Sequence, residues 1–220
     1  SITVTRAFSS NANLFGLALS SGTLNPVFAQ ATTDYTASVS NATTSISVTP
    51  TVADATATVT VNSVAVTSGI PSGSIPLAVG SNTITVVVTA QNGTTTKTYT
   101  VTVTRALSSN ANLSNLVVNF SSLFPDFDPS TTDYDASVSY NTTSVTVTPT
   151  VADAGATVTV NSVGVTSGTQ SGSIGLNVGD NTINATVTAA DGSTKTYTIH
   201  LLRFGSSYLT NLFPSTGSLS

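Results

Sequence analysis

Lys97-Thr98-Tyr99-Thr100-Val101-Thr102-Val103-Thr104-Arg105 alternates apolar and polar residues and ends on an arginine. A two-residue period places alternate side chains on opposite faces, the mark of a half-buried β-strand. Tyr99, Val101 and Val103 take the inner face. Thr98, Thr100, Thr102 and Thr104 take the outer one. The stretch recurs as Lys195-Thr196-Tyr197-Thr198-Ile199-His200-Leu201-Leu202-Arg203, with Tyr197, Ile199 and Leu201 inside. Its tail also stands at the start, as Ser1-Ile2-Thr3-Val4-Thr5-Arg6.

Working outward, the whole chain repeats. Arg6-Ala7-Phe8-Ser9-Ser10-Asn11-Ala12-Asn13-Leu14 returns as Arg105-Ala106-Leu107-Ser108-Ser109-Asn110-Ala111-Asn112-Leu113, an offset of 99 residues that falls to 98 after Gly93 and Gly192. Repeats of this kind are read as structural units. Residues 1–6 are then an orphan terminal strand, 7–105 and 106–203 two complete units, and 204–220 the start of a further repeat or an assembly tail.

Within a unit, short runs rich in Thr and Val are separated by turn residues about every ten positions, as a β-sandwich requires. The first unit predicts strands over 13–19, 35–39, 45–49, 57–61, 64–67, 74–77, 83–90 and 97–104. Asn62-Ser63 reads as a tight hairpin turn. Asn92-Gly93 and Asp191-Gly192 read as type I′ hairpins, which want positive φ. The expected fold is all-β: tandem immunoglobulin-like, antiparallel sandwiches.

Composition narrows the function classes. The 220 residues include 43 Thr and 33 Ser, and only 6% are charged. The nine acidic residues are all Asp, against five Lys plus Arg, for a net charge of −4. Nucleic acid rewards a basic stripe, which this chain lacks. Mean hydropathy is +0.27, high enough for a folded core. There is no Cys, hence no disulfide and no thiolate metal site. No apolar run is long enough for a membrane helix, so membrane insertion is not expected.

The landmarks of the unit are Leu14-Phe15-Gly16-Leu17, Pro26-Val27-Phe28, Thr32-Thr33-Asp34-Tyr35, Ser45-Ile46-Ser47-Val48-Thr49-Pro50, Gly80-Ser81-Asn82-Thr83-Ile84 and the run from Lys97 to Arg105. They return at Pro125-Asp126-Phe127, Asp133-Tyr134 and Gly179-Asp180-Asn181-Thr182-Ile183. The pattern resembles the cadherin-like β-sandwich repeat of large bacterial surface and secreted proteins, and the resemblance covers nearly the whole chain. It implies a spacer or stalk module and no catalytic residues. True cadherins carry acidic calcium clusters between domains; the junctions here, Thr5-Arg6-Ala7 and Thr104-Arg105-Ala106, have no carboxylate.

Candidate chemistry is sparse. His200 is the single histidine and stands where the first unit has the outward Thr102. A triad needs a base held by one group and aimed at another, and no such constellation is visible. Asp126, Asp128, Asp133 and Asp135 form an acidic group without an EF-hand spacing, read as a polar loop. Lys97 and Lys195 follow a turn and are read as exposed, which argues against a covalent bond to an Asn or Asp side chain. Six Asn-x-Ser/Thr sequons, at Asn41, Asn92, Asn112, Asn119, Asn141 and Asn184, are about what composition alone gives. No cofactor, metal or enzymatic activity is expected.

Arg6, Arg105 and Arg203 close each alternating strand. They read either as solubilising charges at a strand end or as inter-domain junction residues whose guanidinium bonds loop carbonyls. The phase adds an assembly expectation: Ser1, Ile2, Thr3, Val4 and Thr5 form a strand without its own domain. They belong to a longer tandem array, or are donated to a neighbouring copy, where Ile2 and Val4 insert into its sheet. Head-to-tail contacts that do not close build filaments. The expected function is therefore a structural repeat of an extracellular bacterial fibre, filament or surface stalk. Its partners would be copies of itself or flanking repeats, with glycans possible on the Thr-rich face and no nucleic acid. The alternative is an adhesive or carbohydrate-binding surface module, with Tyr140 and Tyr208 as its loop aromatics.

Overall fold

The computed structural model describes residues 2–206. Ser1, Tyr208 and the rest of 207–220 lie outside them, and with them most of the expected third repeat. The chain divides into two compact units, 1–107 and 108–220.

Unit 1 contains β1 (Leu14–Leu19), β2 (Asp34–Val39), β3 (Ser45–Ile46), β4 (Val48–Val52), β5 (Thr58–Val61), β6 (Val64–Val66), β7 (Ile75–Pro76), β8 (Gly80–Thr89) and β9 (Thr96–Arg105). Unit 2 repeats the series as β10 (Leu113–Val118), β11 (Asp133–Val138), β12 (Ser144–Val145), β13 (Val147–Val151), β14 (Thr157–Val160), β15 (Val163–Val165), β16 (Ile174–Gly175), β17 (Gly179–Thr188) and β18 (Thr194–Arg203). No α-helix occurs among the described residues, so none is long and apolar enough to cross a membrane.

In each unit a five-stranded sheet, ordered β2-β9-β8-β5-β6 in the first, faces the short pairs β1-β4 and β3-β7. This is the expected all-β tandem sandwich, with one difference. β2 runs parallel to β9, and β11 to β18; the other pairings are antiparallel. Parallel neighbours need a long crossover, and here six strands intervene, so no local pattern announces the pair.

Two further expectations are corrected. The run 45–49 is two strands. Ser47 N–H donates to Ser20 Oγ (2.9 Å), and the chain passes there from pairing with β7 to pairing with β1. The type I′ turn lies at Asn62-Ser63, where both residues have positive φ (47° and 66°). At Asn92-Gly93 only the glycine does (φ 72°). Asn92 Oδ1 instead accepts from Thr94 N–H and Thr95 N–H, making a longer loop.

The inner face follows the alternation. Ile84, Val86, Val88, Tyr99, Val101 and Val103 are essentially sealed from solvent, packed with Leu14, Tyr35 and Val48. Each buried aliphatic side chain contributes about 1.5–3 kcal/mol. Tyr99 adds a polar tie across the core: its hydroxyl accepts from Leu14 N–H (2.9 Å), and Tyr197 does the same for Leu113 (3.0 Å). Both amides are buried, so the hydroxyl is what satisfies them. Tyr99→Phe should destabilise unit 1 by about 1–3 kcal/mol, the cost of an unsatisfied buried donor. Hydrogen exchange of β8 and β9 amides should report the loss while β17 and β18 stay unchanged.

Candidate assembly site

The arginines that end β9 and β18 are built into their units. Arg105 Nε donates to Asn41 O (2.8 Å) and Nη1 to Leu77 O (3.0 Å). Arg203 Nη1 donates to Leu176 O (2.8 Å), while Nε and Nη2 reach Tyr140 O (3.1 and 2.8 Å). Its guanidinium also lies 5.4 Å from the Tyr140 ring centroid. A planar fork with five donors suits this bridging of two loop carbonyls. All these partners belong to the arginine's own unit, and Tyr140 is engaged by it.

Residues 2–6 copy the tail of β9 and share none of its setting. They form no strand, and Ile2 and Val4 are 92% and 88% exposed, where Val101 and Val103 of β9 are 0%. Arg6 is exposed too, and its charge acts on Asp54.

Just beyond, the chain is latched. Ser9 N–H donates to Gln91 Oε1 (3.0 Å) and Ser9 O accepts from Asn92 N–H (3.1 Å). A hydrogen bond from the Ser9 hydroxyl, followed by the Thr56 hydroxyl and amide and by the Arg6 charge, lowers Asp54 from its ordinary 3.8 to about 2. In unit 2 the Ser108 hydroxyl donates to Asp153 Oδ2 (2.6 Å), and Asp153 is likewise lowered, by Ser108 first and then by the Gly155 amide. Nothing in the sequence pattern marks this latch, because Ser9 and Asp54 are far apart in the chain and sit among many other Ser and Asp residues.

The sequence profile of the family described as "Cadherin-like beta sandwich domain" matches residues 2–106 and again 113–204. The chain belongs to this family. Among relatives of this cadherin-like chain is a protein of Evansella cellulosilytica that bears a membrane-protein name. It is 41% identical over 96 residues, covering 44% of the chain and 14% of the relative. The chain thus spans a small fraction of that relative's length. Similar solved structures include fibronectin(III)-like modules of Clostridium thermocellum CbhA (12% identity, 93% of this chain and 100% of that one, TM-score 0.26). Another is the Protocadherin GammaB4 extracellular domain (13% identity, 90% and 33%, TM-score 0.36).

The remaining sequence candidates of the cadherin-like units find ordinary places. Asp128 accepts from Ser130, and Asp133 from Thr132. Among the described residues no group of three His, Cys, Asp or Glu side chains is placed to hold a metal ion. His200 is exposed on the outer face of β18. Lys97 departs from expectation. It is half-buried, with Nζ 2.9 Å from Asn13 Oδ1, 2.8 Å from Gln30 O and 5.1 Å from the Tyr99 ring centroid. Lys195 repeats the arrangement with Asn112, Pro129 and Tyr197. The turn before Lys97 does not expose it, because Asn13, just before β1, and Gln30, in the loop before β2, take its ammonium. These partners are side-chain amide and backbone carbonyl oxygens, to which the ammonium donates.

Two outcomes follow. Arg105→Ala should cost unit 1 about 2 kcal/mol, since both loop carbonyls lose a charged donor; denaturant unfolding followed by hydrogen exchange of each unit reads it. Ser9→Ala should raise the Asp54 pKa from about 2 toward 3.8, measurable by carboxyl NMR titration. Because the folded state holds Asp54 below its unfolded value, the latch contributes fully above pH 3.8 and fades as pH falls to about 2.

Proposed function

We propose that the chain is a structural repeat of an extracellular bacterial surface stalk or filament, in which residues 1–5 are donated to a neighbouring unit. That neighbour is a flanking repeat or a second copy, and it buries Ile2 and Val4. The observation that carries the reading is the contrast within one sequence motif: the same alternating apolar residues are sealed in β9 and stand bare at residues 2–4. Domains of the cadherin-like and immunoglobulin-like kind are structural or binding modules and are usually extracellular, which agrees with it. The low charge also agrees, since a Thr- and Ser-rich surface with 6% charged residues resists association weakly.

Sedimentation velocity over a concentration series tests the proposal. The chain should associate, and Ile2→Asp or Val4→Asp should each weaken association by about tenfold or more, as expected for losing one buried aliphatic side chain. A chain that stays monomeric throughout, or that associates equally well with either substitution, contradicts burial by a second copy, and a chain extended by a preceding repeat that still leaves Ile2 and Val4 exposed contradicts burial by a flanking repeat.

A further inference from the structure

Each unit takes the chain in at one end and releases it at the other. In unit 1 the entry lies against the turn between β8 and β9, where Ser9 O accepts from Asn92 N–H. The exit is Arg105, which pairs with Gly80 at the opposite end of β9. β1 starts at the entry end, since Leu14 N–H donates to the Tyr99 hydroxyl near the beginning of β9. It finishes towards the exit end. Ser20 N–H donates to Ser47 O just past β3, and Thr44 O just before β3 accepts from the N–H of Leu77, whose carbonyl takes Arg105. β1 and β9 therefore run the same way. A pull on the two ends of the unit draws them in opposite directions along their lengths.

Ladder hydrogen bonds run from strand to strand. A load along a strand strains them all together, whereas a load that parts two strand ends opens them one at a time. β9 is held on both sides, by ten residue pairs with β8 and six with β2. β1 is held less firmly. Five residue pairs join it to β4, a bulge interrupts them between Leu14 and Gly16, and Pro50 opposite Leu17 has no N–H to give. The chain has no Cys, so no disulfide secures β1. Two side chains of β9 do so instead. Lys97 Nζ donates to Asn13 Oδ1 (2.9 Å), and the Tyr99 hydroxyl accepts from Leu14 N–H (2.9 Å). Both bonds join β9 straight to the point where β1 begins. Unit 2 repeats them, Lys195 with Asn112 (3.1 Å) and Tyr197 with Leu113 (3.0 Å).

We propose that each unit is a load-bearing element and that this pair of side chains is its clamp. Tension entering past Ser9 passes from Asn13 and Leu14 into Lys97 and Tyr99, and along β9 to Arg105. β1 leaves β4 only after the clamp breaks, and the core opens only after β1 leaves. The inference rests on the reading of the chain as part of a stalk or filament, where a module is tethered and pulled. It adds what the module does there: it keeps its length under load.

Constant-force stretching of the single chain, held by its two ends, tests this. Two unfolding steps should appear, each releasing roughly 300 Å of chain. Forced unfolding reads the unfolding barrier rather than the equilibrium stability. Lys97→Met removes the ammonium and keeps an apolar stem; Tyr99→Phe removes the hydroxyl. Each should speed one of the two steps about tenfold or more at the same force, as expected when a bond that must break before the barrier is missing. The unaltered unit 2 is the standard within the same molecule. Val59→Ala, in the core on β5 and outside the path of the load, should lower the denaturant midpoint of unit 1 and leave its step at force unchanged. Direction gives a second test. Pulling between a Ser40→Cys tether, just past β2, and the C-terminal end parts the ends of β2 and β9, and unit 1 should then unfold at a lower force. Clamp variants that move their step no more than Val59→Ala does overturn the clamp. A unit 1 that resists equally from Ser40 and from its ends overturns the loading along the strands. Both are read on single molecules at a dilution where nothing associates, so they hold or fail separately from the burial of residues 2–5 by a neighbour.

Discussion

The inner row of β9, Tyr99, Val101 and Val103, is the constraint on which unit 1 depends. β9 is paired along both edges, with β8 on one side over ten residue pairs and with β2 on the other. It can therefore exist only inside a sheet, and its side chains are fully buried there. The strand also reaches across the core: the Tyr99 hydroxyl takes the Leu14 amide, Lys97 holds Asn13 and Gln30, and Arg105 gathers the loops at Asn41 and Leu77. Tyr197, Lys195 and Arg203 do the same work on β18.

The same constraint gives the N-terminal segment its meaning. Ile2 and Val4 carry the pattern of a strand that is stable only when paired and buried, yet their own unit already has its β9. Unit 1 closes its sheet with β9, and Ile2 and Val4 stand outside that sheet. Burying two such side chains is worth about 3–6 kcal/mol before the cost of association. That is enough to favour burial by a neighbouring unit.

Much of this was legible in the sequence, because a two-residue alternation and a 99-residue repeat are local or self-referential signals. The inner and outer assignments of β8 and β9 came from alternation alone, and the landmark residues named the family. Pairings between distant segments were less accessible. The parallel β2–β9 pair joins residues 66 positions apart, and the lysine that looks exposed after its turn is held by Asn13, more than 80 positions away. Asn-Gly is the stronger local signal for an I′ turn, yet the two-residue loop with positive φ at both positions is Asn62-Ser63, set by the register of β5 and β6. His200 and Asp135 each looked unremarkable alone; the register of β11 and β18 makes them neighbours.

In the proposal, residues 2–6 are buried by a neighbouring unit, which for this chain on its own is a second copy. Relaxation of the Ile2 and Val4 methyl groups by a soluble paramagnetic agent measures this directly. It should be strong at high dilution and fall, as chain concentration rises, toward the level of Val101 and Val103. Relaxation that stays strong at every concentration would contradict the account.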